Sequence, residues 1–316
     1  IQKKEQVVQR LVKGLQFLLE KRNIKVIEGE AQFRSATEIQ VGNEIFTPDK
    51  ILVATGTEPF ELPGLEIDGQ FVVNSDQLLA RTTLPKSLVI VGGGVIGCEF
   101  ATIFASYGVQ VTIVELMEQI LPPEDAEISQ TLTREFKKRK VKVLTGTKVQ
   151  KVRRNDEAVT LELEHKGRIS EIEAELVLVS VGRRPILPAN FPGELDSRGY
   201  IVVNEQFQTS QPHIYAAGDI IGGFQLAHLA FEEGWAAVNF MEGKPARNTW
   251  FVPSCVYTKP EIASVGLTEA KARDKYGEVV TAKYSLKGNG RAVIAGEDSG
   301  FVKLVATPDG ALQGVH

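Results

Sequence analysis

Near the start of the chain, Val8, Leu11, Leu15, Leu18 and Leu19 recur at helical spacing within residues 3–22. The pattern predicts an amphipathic helix with one face packed on a core. Three short segments bounded by turn residues predict strands: NIKVIEG (23–29), EIQVGNEIF (38–46) and KILVATG (50–56). Residues 87–115 predict a strand–helix–strand unit, with SLVIV as a buried strand, Val95–Tyr107 as the helix and VQVTIVE as the second strand. A second amphipathic helix is predicted from Glu124 through EDAEISQTLTREFKKRK. The strand VKVLTG, a meander turning at HKGR, and the strand AELVLVSVG come next. QPHIYAAGD (211–219) predicts a strand ending in Gly-Asp, and Leu226–Met241 a helix. From about Phe251 the pattern is rich in strands, with one helix near Glu269–Tyr276.

One similarity inside the chain organises these elements. ILVATGTEP (51–59) and VLVSVGRRP (177–185) share an aliphatic strand, a glycine at its end and a proline three residues later. Each follows a β-rich stretch opened by a strand and a glycine, KVIEG ending at Gly29 and KVLTG ending at Gly146. Two copies of one dinucleotide-binding domain are therefore expected. The interval from Gly92 to Gly182, laid back from Gly56, ends upstream of Ile1. The first copy is thus expected to lack its beginning. Both ends read as interior: the first residue is Ile1 rather than Met, and LQGVH stops within a predicted strand.

The second copy carries a complete glycine loop. Gly92, Gly94 and Gly97 match G-x-G-x-x-G between a strand and a helix. Gly92 allows the tight turn, Gly94 lets the backbone approach a pyrophosphate, and Gly97 permits close packing of helix on strand. The pyrophosphate is expected at the helix N-terminus, where unpaired N–H groups favour an anion. Glu115 ends the following strand, placed to accept bonds from ribose hydroxyls and to repel a 2′-phosphate. Leu116, Met117, Glu118 and Gln119 supply no arginine for such a phosphate, so NAD is expected rather than NADP. Gly93, Val95, Ile96, Cys98 and Glu99 complete the expected NAD-binding run, with Glu99 one turn into the helix and Cys98 read as a small packed hydrophobe.

Composition narrows the picture. The 316 residues are enough for about two domains, with 43% hydrophobic and 24% charged residues and a net charge of −4. No nucleic-acid or anionic-membrane partner is implied. No apolar run is long enough for a bilayer, and the polar start IQKKEQVVQR does not read as a signal peptide. Cys98 and Cys255 are far apart and form no metal-ligand spacing, so no metal and a reducing, cytoplasmic setting are expected.

With VGGGVIGCEFA, VSVGRRP, YAAGD, LAHLAFEEG and PSCVYTKPEIASVG read in order, essentially the whole chain resembles the flavoprotein disulfide reductases, and most of all their dihydrolipoyl dehydrogenase branch. The resemblance implies an α/β fold: two related Rossmann-like FAD/NAD(P)-binding domains, the first incomplete, and the start of an α+β interface domain. It divides the chain into the C-terminal part of an FAD-binding domain (1–68), an NAD-binding domain (69–190), a return to the FAD-binding and central segment (191–249), and the N-terminal part of a dimerisation domain (250–316). It implies FAD at Gly29, Thr55, Gly56, Thr57, Asp219, Gln225, Leu226, Ala227 and His228, with Asp219 on the flavin's ribityl chain. On the NAD side it adds Val149 and Gly182.

The activity implied is electron transfer between dihydrolipoamide, a cysteine pair, flavin and NAD in a homodimer, with a small-molecule or lipoyl-domain disulfide as substrate and a 2-oxoacid dehydrogenase complex as a partner. The family's first glycine loop, its redox CxxxxC and its C-terminal His and Glu do not occur in these residues. Cys98 and Cys255 do not replace the pair, and His316 matches a mid-strand histidine, so no catalytic residue is assigned. The chain by itself is expected to be inactive on lipoamide. A soluble pyridine nucleotide transhydrogenase, with GVIGCE-like and DSRG-like stretches and no need of the pair, is the alternative enzyme, and a non-catalytic NAD-binding fragment the alternative of another class. Mercuric reductases usually vary the glycine loop. Exposed apolar strands such as FVKLVAT are expected to favour aggregation.

Overall fold

The computed structural model describes residues 2–155, 157–246 and 251–316. The chain forms two compact units, residues 1–58 with 183–249, and residues 59–182 with 250–316. The sequence boundary between 249 and 250 lies outside the described residues.

In the first unit the opening helix spans Gln2–Lys21, as its spacing predicts. Its apolar stripe is not packed: no residue of the helix is buried, and Val8, Leu11, Leu15 and Leu18 are exposed. Helical spacing is a local property, whereas burial needs a facing surface, and among the described residues nothing covers this one. NIKVIEG forms no strand either. Ile24, Val26 and Ile27 are exposed, and the first strand is Ala31–Phe33. That strand pairs antiparallel with Ile39–Val41, which pairs with Glu44–Phe46 around Gly42. Ile51–Val53 pairs in parallel with Ile214–Ala216, and the helix Ala227–Met241 follows. The core gathers Phe33, Ile51, Val53, Ile201, Ile214, Ala216 and Ile220. Both strands that end at predicted ligand-binding residues thus lie side by side, so their C-terminal ends emerge together.

The second unit is built on a five-stranded parallel sheet in the order Val72–Val73, Leu176–Val179, Ser87–Val91, Gln110–Val114, Lys142–Leu144. Its strands are almost continuously apolar, as burial on both faces requires. Helix Val95–Ser106 returns from the first member of the predicted unit, and helix Ala126–Lys138 leads into Lys142–Leu144. The meander Thr147–Arg154, Val159–His165, Arg168–Ala174 turns through Lys166 and Gly167, both at positive φ.

The C-terminal residues of this unit form an antiparallel sheet in the order Ser254–Val256, Ile262–Gly266, Leu312–Val315, Phe301–Ala306, Val280–Ser285. FVKLVAT is therefore not an open strand, because Phe301–Ala306 is paired along both edges. Its outward face is nevertheless apolar. Val302 and Leu304 are each 39% exposed, while Lys303 faces inward at 3%. Three carboxylates explain the inward lysine: Lys303 Nζ lies 2.9 Å from Asp125 Oδ1, 2.9 Å from Glu127 Oε1 and 2.8 Å from Glu269 Oε2. Asp125 is 2% exposed and also caps helix Ala126–Lys138 through the Glu127 N–H. Burial works against the charged ammonium, but these carboxylates hold the Lys303 pKa above its ordinary value.

Among the described residues, a set of polar contacts joining this sheet to the preceding part of the unit shares one polarity. Glu99 accepts from Tyr257 N–H at 2.9 Å. Glu124 accepts from the hydroxyls of Ser254 and Ser264 at 3.1 and 2.7 Å. Asp125 accepts from Glu269 N–H at 3.1 Å, and Glu127 from Lys283 and Lys303. In these contacts the acceptors stand on residues 99–127 and the donors on residues 254–303.

Candidate functional site

The glycine loop joins strand Ser87–Val91 to helix Val95–Ser106, and its glycines meet different surroundings. Gly92 has φ +107°, and a Cβ there would lie 2.4 Å from Ser180 O. Gly97 sits where the helix passes over the strand, and its Cβ would lie 2.0 Å from Gly92 O and 3.1 Å from Ile90 Cγ2. Gly94 caps the helix in extended conformation with no protein atom within 4 Å of a built Cβ, so its free face opens outward. Gly93 is held from both sides. Its carbonyl accepts from Leu121 N–H at 2.8 Å and from the Cys98 thiol at 3.3 Å, and its N–H donates to Glu115 Oε2 at 2.6 Å.

Glu115 therefore braces the loop. It is 8% exposed, and Oε1 accepts from Met117 N–H at 2.7 Å. Each oxygen has a second lone pair, so the group can fix the loop and still accept from a ribose hydroxyl. Cys98 is fully buried, and burial, then the charges of Glu115 and Glu99, push its thiol pKa well up. A packed, protonated thiol is the result, not a nucleophile. Glu99 spends one carboxylate oxygen on Tyr257 N–H. Val95 and Ile96 open the helix, Val95 exposed and Ile96 packed partly on the core. Val149 packs on the hydrophobic cluster of Val91 and Val114, and Gly182, at φ +127°, accepts from Phe60 N–H at 3.0 Å. Sequence reasoning missed Ser180, whose hydroxyl lies 3.2 Å from Val91 O and 3.1 Å from Gly92 O and buttresses the turn.

In the first unit, Thr57 and Asp219 meet although they are distant in sequence. Thr57 Oγ1 donates to Asp219 Oδ2 at 3.0 Å. Thr55 donates to Ile186 O at 2.6 Å, and Gly56, at φ +69°, accepts from Ile186 N–H at 3.0 Å. Gly218, at φ +78°, gives its N–H to Glu233 Oε2 at 2.8 Å and aims Asp219 off the strand end. Burial raises the Glu233 pKa and the Asp219 charge adds to it, against the lowering effect of that N–H. Gln225, at φ +52°, donates to the Tyr200 hydroxyl at 3.0 Å. Leu226 precedes helix Ala227–Met241, whose first turn carries Ala227 and His228, both exposed. Gly29 lies apart from this group. It lines a cavity of about 420 Å³ with Glu28, Val41 and Glu44, and a Cβ on it would meet Val41 Cγ1 at 2.6 Å. Arg183, Tyr200 and Glu233 were not legible from the sequence, because their roles arise only when distant strand ends meet. His316 is buried and donates from Nε2 to Leu267 O at 3.0 Å. Among the described residues no His, Cys, Asp and Glu cluster suited to a metal occurs.

The two sites differ in what they can hold. The glycine cradle would be filled by any side chain at Gly92 or Gly97, and its helix start at Gly94 has N–H groups without a partner among the described residues, which suits a diphosphate. The paired strand ends present the Asp219 carboxylate, held by the Thr57 hydroxyl, which suits a polyhydroxy ligand.

Comparison with known proteins agrees along the whole chain. Residues 2–234 match the profile of the family described as pyridine nucleotide-disulphide oxidoreductase, and residues 252–316 that of its dimerisation domain. A dihydrolipoyl dehydrogenase from Bacillus subtilis is 41% identical over 99% of this chain, which spans 70% of that relative. A dihydrolipoyl dehydrogenase from Rhizobium etli is 36% identical over 97% of the chain and 69% of its own length. Among solved structures, a copper(II) complex of a variant of the HOCl-induced flavoprotein disulfide reductase RclA from Escherichia coli superposes with TM-score 0.90 at 28% identity, covering 99% of this chain and 74% of that one. LpdA from Mycobacterium tuberculosis superposes with TM-score 0.88 at 27% identity, covering 98% and 71%. With these matches over most of its length, the chain belongs to the pyridine nucleotide-disulphide oxidoreductase family, beside the dihydrolipoyl dehydrogenases.

Proposed function

We propose that this chain is the nucleotide- and flavin-handling part of a dihydrolipoyl dehydrogenase-like oxidoreductase, with NAD at Gly92–Glu99, Glu115, Val149 and Gly182, and FAD at Gly29, Thr55–Thr57, Asp219 and Gln225–His228. The observation that carries the reading is the cradle in which Gly92 and Gly97 admit no Cβ while Gly94 opens outward beside Glu115. Bound flavin supplies the electron-pair chemistry, and the residues of the chain bind and orient. The domain ranges 1–68, 69–190, 191–249 and 250–316 are part of the proposal, as is homodimerisation through the last of them. So is a disulfide substrate, either small or carried on a lipoyl domain of a 2-oxoacid dehydrogenase complex. Among the described residues no helix is long and apolar enough to cross a membrane; a cytoplasmic setting is part of the proposal.

Glu115→Ala is expected to weaken NADH binding by about 10- to 100-fold, the size of a hydrogen bond to a charged group. The variant also frees the Gly93 and Met117 N–H groups, so titration with NADPH is the informative control. Losing the carboxylate removes repulsion from a 2′-phosphate, and the preference for NADH over NADPH should narrow. An unchanged preference removes Glu115 from the ribose site.

The 316 residues hold two cysteines, one of them the buried Cys98. We therefore expect no NADH-dependent reduction of lipoamide by this chain alone, and appreciable turnover overturns that expectation.

A further inference from the structure

We propose that Arg183 positions Asp219 for the flavin's polyhydroxy chain by fixing the direction of the Thr57 hydroxyl, an inference that rests on the flavin reading of this site. Arg183 Nε donates to Thr57 Oγ1 at 2.8 Å, and Nη2 donates to Thr57 O at 2.6 Å. A guanidinium has no acceptor, so the Thr57 oxygen must accept from it. The single hydroxyl proton of Thr57 is then left for Asp219 Oδ2, 3.0 Å away.

The same pairing leaves Asp219 Oδ1 with no hydrogen bond among the described residues, so that oxygen is the one offered to a ligand hydroxyl. Arg183 is itself braced, since the Tyr200 hydroxyl donates to Arg183 O at 3.3 Å and Gln225 donates to that hydroxyl. On the other side, the Glu233 carboxylate holds Gly218 N–H, so the Asp219 backbone is anchored independently of its side chain. Thr57 is buried and Arg183 half-buried, so this relay works out of bulk water, where hydrogen-bond direction matters most.

The test is FAD titration of the whole chain by flavin fluorescence, with circular dichroism and thermal unfolding of each variant as the check on folding. Arg183→Met and Thr57→Val should each weaken FAD about tenfold, one charge-assisted hydrogen bond at 1.4 kcal/mol per decade. The double variant should be no weaker than either single one, because both interrupt one relay. Thr57→Ser, which keeps the hydroxyl, should retain affinity within about twofold, a rescue that a purely steric role for Thr57 would not give. Where Arg183→Met does not fold, the near-isosteric Thr57→Val and Thr57→Ser carry the test. If Asp219→Asn weakens FAD while Arg183→Met and Thr57→Val do not, the relay is overturned and the flavin reading stands. If the wild-type chain takes up no FAD, or Asp219→Asn binds it as well as wild type does, the flavin reading fails and the relay falls with it.

Discussion

Lys303→Met is expected to destabilise the second unit by about 3–5 kcal/mol, the cost of leaving a buried charge without its partner. Methionine fills the space of the lysine stem but leaves Asp125, at 2% exposure, facing Glu127 and Glu269 with no cation between them. The measurement is urea unfolding, with hydrogen exchange in Phe301–Ala306 locating the loss. The pH dependence follows from the carboxylates. For Asp125, burial raises the pKa, but the bonds from Lys303 and from the Glu269 and Glu127 N–H groups bring it below the ordinary value. Hydrogen bonds from Lys283 and Lys303 lower Glu127, and those from Lys303 and Arg273 lower Glu269. Groups with depressed folded-state pKa values stabilise above their unfolded value, roughly pH 4, and lose that contribution as pH falls through the folded value. The gap between wild type and Lys303→Met should therefore be full at neutral pH and narrow below about pH 4. Adding Asp125→Asn should recover part of the loss at neutral pH. A gap below about 1 kcal/mol would mean that water reaches the cluster and screens it.

Gly97→Ala carries the second large effect. Its Cβ would stand 2.0 Å from Gly92 O, a backbone atom that cannot yield without moving the turn. We expect about 3 kcal/mol of destabilisation from the overpacking. NADH affinity should fall about a hundredfold, because the cradle itself is displaced by about an ångström. Gly94→Ala is the informative companion. No protein atom lies within 4 Å of its Cβ, so stability should change by only a few tenths of a kcal/mol. Its methyl group nevertheless projects where a diphosphate would approach, and NADH binding should still be lost. Calorimetry and NADH titration of the two variants separate packing from ligand approach. Normal NADH binding by Gly94→Ala would mean that the nucleotide does not cross that turn.

The glycine loop was legible in the sequence because its constraints are local: a strand end, a turn and a helix start within a few residues. The Gly-Asp strand end and the helix after Leu226 were legible for the same reason. The unpacked face of Gln2–Lys21 was not, since its spacing says which side is apolar and nothing about what covers it. Lys303 was hidden by its neighbours. In FVKLVA nothing local marks the lysine as the inward residue, and its burial depends on carboxylates at 125, 127 and 269. Thr57, Arg183 and Asp219 come together by strand pairing across long intervals, and Glu115 gains its second task only because Gly93 N–H turns toward it. In each case the missing information was a three-dimensional neighbour rather than a residue type.

The one-way polarity between residues 99–127 and the C-terminal sheet bears on recombination among relatives. A chimera that exchanges residues 251–316 receives a surface of acceptors already set by Glu99, Glu124, Asp125 and Glu127. The incoming segment must bring hydroxyls matching Ser254 and Ser264 and a cation matching Lys303, while an apolar residue at that position would strand Asp125. Apolar matching alone is therefore a poor guide to where such a crossover succeeds, and the charge pattern spanning both sides of the junction has to be matched as well.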